Sequence, residues 1–189
     1  MSLKTKVKAG NITNLSDARY CAGMGVDWLG FPLHTVNPVT FKEITDWVAG
    51  PEFVLEISET ASIDSIGQYP VTTLEISSDQ LKMIEEWPSM QWMIRISISE
   101  WDKKKSELLK FTDKISYLVI DLDRYDEQAI SDIASCFRIL IKQSDSYSLE
   151  DLLSLPIEGI NVEGENELKP GLKDYEKLST ILEELEILD

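Results

Sequence analysis

Charged side chains recur near the ends of short apolar runs along this 189-residue chain. Glu56, Glu75, Arg95, Asp121, Lys142 and Glu163 each fall where a purely structural strand would carry valine or isoleucine. Gathered in one place, such a set could do three kinds of work. Two carboxylates can divide the roles of general acid and general base. Several converging carboxylates can offer oxygens to a hard cation. An arginine or lysine can hold an anionic group. His34, the single histidine, adds a side chain that titrates near neutrality and is a candidate base. The plainer alternatives are strand-end caps and surface ion pairs for the six, and an ordinary loop position for His34. No calcium-loop spacing is present, and we expect neither a metal nor a cofactor.

The elements that would position these residues follow from hydrophobic periodicity. Short apolar or alternating runs trade places with amphipathic stretches at intervals of roughly 24 residues. The predicted strands are 6–10, 28–33, 52–58, 72–77, 92–99, 115–122, 137–142 and 159–163. The predicted helices are 16–25, 40–48, 62–68, 79–87, 100–111, 126–136, 148–154 and 175–188. Ser16, Ser78, Ser99 and Ser148 are placed to cap helices, with acidic residues following where the helix dipole favours them. Eight such units close into a barrel or spread into an open doubly wound sheet. The turn Gly10-Asn11-Ile12-Thr13-Asn14-Leu15 lacks the GxGxxG spacing expected of an open dinucleotide-binding sheet. The expected fold is therefore α/β, a single compact (β/α)8 TIM barrel over residues 1–189, lean beside the roughly 250 residues usual for it. Chemistry in such barrels sits at the carboxyl ends of the strands, where the six charged residues fall. Because side chains alternate along a strand, some of the six could instead point towards the helices.

The charge balance narrows the partners. Eighteen basic against 34 acidic residues leave a net charge of −16, a field that repels nucleic acid and anionic membranes. The basic run Lys103-Lys104-Lys105 lies among Glu100, Asp102 and Glu107 and reads as a solvated helix face. No apolar run approaches the roughly 18 residues of a membrane span, and the first residues lack a signal-peptide pattern, so a cytoplasmic location is expected. A small-molecule ligand is the expected partner, with the oligomeric state open. Cys21 and Cys136, without CxxC spacing, are expected to be buried, reduced thiols.

Three segments carry a resemblance. Residues 7–18, Val-Lys-Ala-Gly-Asn-Ile-Thr-Asn-Leu-Ser-Asp-Ala, resemble without a gap the signature VKICGITNxxDA of the phosphoribosylanthranilate isomerase family. Residues 25–31, Gly-Val-Asp-Trp-Leu-Gly-Phe, resemble its GADxxGF, and residues 167–174, Glu-Leu-Lys-Pro-Gly-Leu-Lys-Asp, its ExxPGxKD. They flank the first, second and eighth predicted strands in the family's order. The middle of the chain matches only in its strand-helix rhythm.

The resemblance implies a barrel that opens a phosphoribosyl ring by an Amadori rearrangement in tryptophan biosynthesis, with one group protonating the ring oxygen and another removing the C2 proton. It places the acid at Asp121, with Asp123 as the register alternative. It places the base, a cysteine in the family, at Gly10, which has no side chain to take a proton. Ala9 and Asn11 replace the residues on either side of it. His34 is the candidate replacement base.

Phosphate-binding turns are implied after strands seven and eight. Here they read Lys142-Gln143-Ser144-Asp145-Ser146 and Glu163-Gly164-Glu165. A carboxylate beside a phosphate costs on the order of 1–4 kcal/mol, so the pocket is hostile to one. The arginine of the loop after strand two has no counterpart in residues 34–38, and the glycine-rich loop after strand six has shrunk to residues 124–128. The implied ligand contacts are Lys8, Asn11, Glu75, Arg95, Lys142, Glu163, Gly164 and Glu165. The expectation is a barrel that has lost the isomerase reaction; the alternative is an isomerase with a replacement base. An ion pair of Lys142 or Arg95 with Glu163 would close the phosphate position, and an anion beside Gly164 would reopen it.

Overall fold

The computed structural model describes residues 2–58, 63–164 and 176–187. Eight parallel strands hydrogen-bond in sequence order and close on themselves: β1 (Lys6–Gly10), β2 (Trp28–Pro32), β3 (Glu52–Glu56), β4 (Thr73–Ser77), β5 (Gln91–Ser97), β6 (Ile115–Asp121), β7 (Ile139–Lys142) and β8 (Gly159–Glu163). The closing seam sets Lys8 beside Asn161 and Gly10 beside Glu163. Among the described residues seven α-helices lie between and after the strands: α1 (Leu15–Met24), α2 (Pro38–Thr45), α3 (Met83–Glu86), α4 (Trp101–Leu108), α5 (Glu127–Ala134), α6 (Leu149–Leu153) and α7 (Glu176–Leu185). The expected (β/α)8 barrel is what forms. No helix among the described residues is long and apolar enough to cross a membrane.

The strands agree with the periodicity to within a few residues, and β1 and β8 agree at both ends. Two connections are shorter than expected. Between β3 and β4 the described residues form a 3-10 segment, Ile63–Gln68, in place of a helix over 62–68. Between β4 and β5, α3 is a single turn: residues 79–82 are not helical, and at the other end Trp87, which precedes Pro88, lies outside the helical region with φ −124°. Three of the four expected serine caps do not form. Asn14 accepts the Asp17 amide at 3.0 Å and caps α1, leaving Ser16 inside the helix. Before α4, Glu100 accepts from both the amide and hydroxyl of Ser97, displacing Ser99. The Gln80 carboxamide takes the Ser77 amide, and Ser78 caps nothing. Ser148 does cap α6, accepting the Asp151 amide at 3.1 Å. Cys21 is buried as expected, but Cys136 is only partly so, and neither forms a disulfide.

Apolar residues fill two separate layers. One lies between strands and helices, where Val7, Ala9, Leu29 and Phe31 face outward from the sheet onto the helical ring. The other is a small cluster inside the barrel, formed by Trp28, Val54, Met93, Tyr117, Val119 and Leu140. Its floor is held by polar clamps. Tyr117 meets Trp28 edge-on at 4.9 Å, its hydroxyl accepts from Lys6 Nζ at 2.9 Å, and it donates to Glu158 Oε2 at 3.1 Å. Arg138 covers the other side of the Tyr117 ring at 4.5 Å.

Replacing Tyr117 with alanine should therefore remove the floor and cost about 3–5 kcal/mol. Equilibrium urea unfolding measures this, and a loss under about 1 kcal/mol would show that the floor is not needed.

Candidate functional site

Alternation along β1 aims Lys6, Lys8 and Gly10 into the barrel while Val7 and Ala9 face the helices. Lys8 is wholly buried. An ammonium in such a place is tolerated only if it is paired and hydrogen-bonded. Lys8 Nζ lies 2.5 Å from Glu56 Oε1 and 2.8 Å from Glu75 Oε2, and it donates to Asn161 Oδ1 at 3.1 Å. The second Glu56 oxygen accepts the Asn11 amide at 3.0 Å. Glu75 also faces Arg95, whose Nε lies 3.2 Å from Oε1 and whose Nη2 donates to the Ile57 carbonyl at 2.8 Å. Two cations and two carboxylates thus share the barrel interior without excess charge.

Proton affinities follow from that sharing. Burial is the largest influence on Lys8 and opposes its charge, but the attraction of Glu56 and Glu75 is greater and lifts its pKa above the ordinary lysine range. Burial also disfavours ionised Glu56, yet Lys8 and the Asn11 amide outweigh it and hold the carboxyl below its ordinary value. For Glu75, burial and the neighbouring Glu56 charge prevail over Lys8 and Arg95, and its pKa is raised.

This network accounts for the glycine at position 10. A Cβ built on Gly10 would stand 2.7 Å from Glu56 Oε1 and 3.2 Å from Lys8 Nζ. Gly30, across the β1–β2 pairing, is tighter still: its Cβ would collide with the same Glu56 oxygen. The Glu56 carboxyl occupies the space into which side chains at both positions would project. Asn11 follows with φ 56°, a left-handed conformation that asparagine tolerates better than most residues, and its Nδ2 donates to the Gly164 carbonyl at 2.8 Å.

Above the network, a cavity of about 640 Å³ opens at the carboxyl ends of the strands from β4 to β8. Ser58, Arg95, Asp121, Lys142 and Glu163 line it, together with Ser77, Ser97 and Glu100. All six charged residues singled out in the sequence point into the barrel, at two levels. Glu56 and Glu75 lie deep, tied to Lys8. Arg95, Asp121, Lys142 and Glu163 line the mouth. Lys142 Nζ and Glu163 Oε2 pair at 3.0 Å. The Gly164 amide donates to the Gly10 carbonyl at 3.0 Å. Asp121 is exposed at the end of β6. His34 is exposed in the turn after β2 and is not among the lining residues. Glu165 and the 167–174 motif lie outside the described residues. No group of three or more histidine, cysteine or acidic side chains among the described residues could hold a metal ion.

Sequence reasoning missed Asn161, whose signal was a carboxamide in the middle of the apolar strand Gly159–Glu163. It also missed Ser58, Ser77 and Ser97, for which an isolated serine near a strand end gives no distinctive signal.

Two outcomes follow. Gly10→Ala should destabilise the protein by about 1–3 kcal/mol through overpacking, and by less than about 1 kcal/mol in a Glu56→Ala background. Equal penalties in both backgrounds, from urea midpoints, would detach Gly10 from Glu56. The second concerns pH. The Glu56 contribution is present above its unfolded value of 4.5 and is lost as pH falls through its lower folded value. That of Lys8 is present below 10.5 and is lost as pH rises through its higher folded value. Glu75 acts in the opposite sense to Glu56, because its raised pKa favours the folded state as it takes up a proton. Glu56→Gln should flatten the acid limb of thermal stability between neutral pH and about 3. An unchanged limb would mean that Glu56 is not held ionised by Lys8.

No family model matches the sequence, and no curated protein matches it by sequence. Solved structures do match the fold. A phosphoribosyl anthranilate isomerase in complex with reduced 1-(o-carboxyphenylamino)-1-deoxyribulose 5-phosphate superposes with a TM-score of 0.71 at 15% identity, over 95% of this chain and 97% of that one. A monomeric form of the dimeric phosphoribosylanthranilate isomerase from Thermotoga maritima gives 0.69 at 16% identity, again over 95% and 97%. A truncated 3-deoxy-D-arabino-heptulosonate 7-phosphate synthase from the same organism gives 0.65 at 16%, over 95% and 84%. That last protein carries a different chemistry on the same barrel, as fold likeness alone allows. The chain has the fold of the phosphoribosylanthranilate isomerase structures, matched over nearly its whole length and nearly the whole of theirs.

Proposed function

We propose that this chain is a diverged member of the phosphoribosylanthranilate isomerase family that retains the barrel, has lost the isomerase reaction, and binds a small molecule at its altered, acidic mouth. One observation carries the reading. Where the family's base would project from position 10, the Glu56 carboxyl fills the space, locked by Lys8 and the Asn11 amide. A carboxylate held below its ordinary pKa by a buried ammonium is a poor proton acceptor. The phosphate end is compromised in the same direction. Glu163 pairs with Lys142, and the Gly164 amide is spent on the Gly10 carbonyl.

A second reading, a working isomerase with a replaced base, is favoured by Asp121, which stands exposed at the end of β6 as a general acid would. His34 is its candidate base.

Purified protein should give no turnover of phosphoribosylanthranilate above the uncatalysed rate, read by anthranilate fluorescence. Its expression should not let an auxotroph lacking the enzyme grow without tryptophan. Turnover well above background would overturn the reading. In that event, losses of about 10²–10⁴-fold in kcat for Asp121→Asn and for His34→Ala would assign the acid and the base.

A further inference from the structure

The mouth cavity retains a specific pattern of unused bonding capacity. Most of its charged groups are satisfied within the protein: Lys142 by Glu163, Asp79 by Lys104 at 2.7 Å, and Glu100 by the amide and hydroxyl of Ser97. Three groups remain. Arg95 is held by its ion pair with Glu75 and by the Nη2 bond to the Ile57 carbonyl, its Nε lacking a hydrogen-bond partner, and its Nη1 makes no hydrogen bond among the described residues. The Asp121 carboxylate, exposed at the end of β6, makes neither an ion pair nor a hydrogen bond among the described residues. Ser58 Oγ is buried against the cavity without a partner among the described residues.

Their spacing is set by the sheet. Arg95 pairs with Val119 across β5 and β6, and Asp121 lies two residues further along β6, opposite Ser97. That offset is about 6–7 Å along the strand. The two opposite charges form no direct salt bridge, so a ligand spanning them needs an anionic or carbonyl acceptor at one end and a cationic donor close by at the other. A second anionic group would meet Asp121, Glu100 and Glu163. The net charge of −16 further favours ligands bearing an amine over polyanions.

We propose that the cavity binds a small molecule of the amino-acid class, its carboxylate held by Arg95 Nη1 and Ser58 Oγ and its ammonium by Asp121. The assignment rests on the reading of this mouth as a small-molecule site. The cavity volume of about 640 Å³ falls within the range usual for such pockets.

Titration calorimetry on the whole chain tests it with a panel of L-amino acids, alongside cadaverine as an amine without an acid, and glutarate and inorganic phosphate as acids without an amine. At least one amino acid should bind at millimolar concentration or below, with cadaverine, glutarate and phosphate at least about tenfold weaker. Asp121→Asn and Ser58→Ala should each weaken that amino acid, the former by about tenfold or more, without lowering the melting temperature. Absence of binding across the panel, tighter binding of glutarate or phosphate, or wild-type affinity in Asp121→Asn would overturn the proposal. Loss of this proposal leaves the lack of isomerase turnover standing, and turnover of phosphoribosylanthranilate would strike the earlier reading alone.

Discussion

A buried lysine ammonium governs the interior of this barrel. An unpaired ammonium there would carry a desolvation penalty of several kcal/mol, so the residues around Lys8 are constrained to answer its charge. Glu56 and Glu75 do so from β3 and β4, and Asn161 from β8. Two carboxylates on one lysine leave a surplus negative charge, which Arg95 offsets from β5. The network is thus a closed set: each member is present because another would otherwise be buried without compensation.

Space in the barrel is divided accordingly. Apolar residues occupy the lower interior around Trp28 and Tyr117, and the charged set occupies the middle. Close to the axis little volume remains, and the Glu56 carboxyl requires positions 10 and 30 on the neighbouring strands to lack a Cβ. Those absences, read in isolation, look like a deletion of chemistry at Gly10. In the folded chain they are the complement of an added side chain, and the mouth above is left with Arg95 and Asp121 as its available charges.

Much of the architecture was legible from periodicity, because closed parallel barrels repeat one strand-helix unit and each unit leaves its own apolar signature. Where the repeat was abbreviated, legibility failed: the 3-10 segment Ile63–Gln68 and the single turn Met83–Glu86 are too short to display a helical period. Helix starts were misread for a related reason. Asn14 and the Ser97–Glu100 pair start their helical segments two residues before the expected serines, and only backbone geometry decides between them. At the site, alternation identified charged positions late in the strands but not their depth. Depth separates Glu75, which never reaches the mouth, from Asp121, which stands exposed in it.

The sequence by itself determined that position 10 carries no base, that the turns after strands seven and eight carry carboxylates, and that the chain repeats a barrel unit. These are local properties of residue type and spacing. Only the tertiary structure decided what stands in the vacant place, because Glu56 reaches it from 48 residues beyond Lys8, through a contact that no local pattern encodes. It also decided that Lys142 and Glu163 answer each other, whereas Arg95 and Asp121 do not. Barrel closure fixes which strand ends face one another across the mouth, and that geometry, more than the inventory of charges, selects the pairs that form.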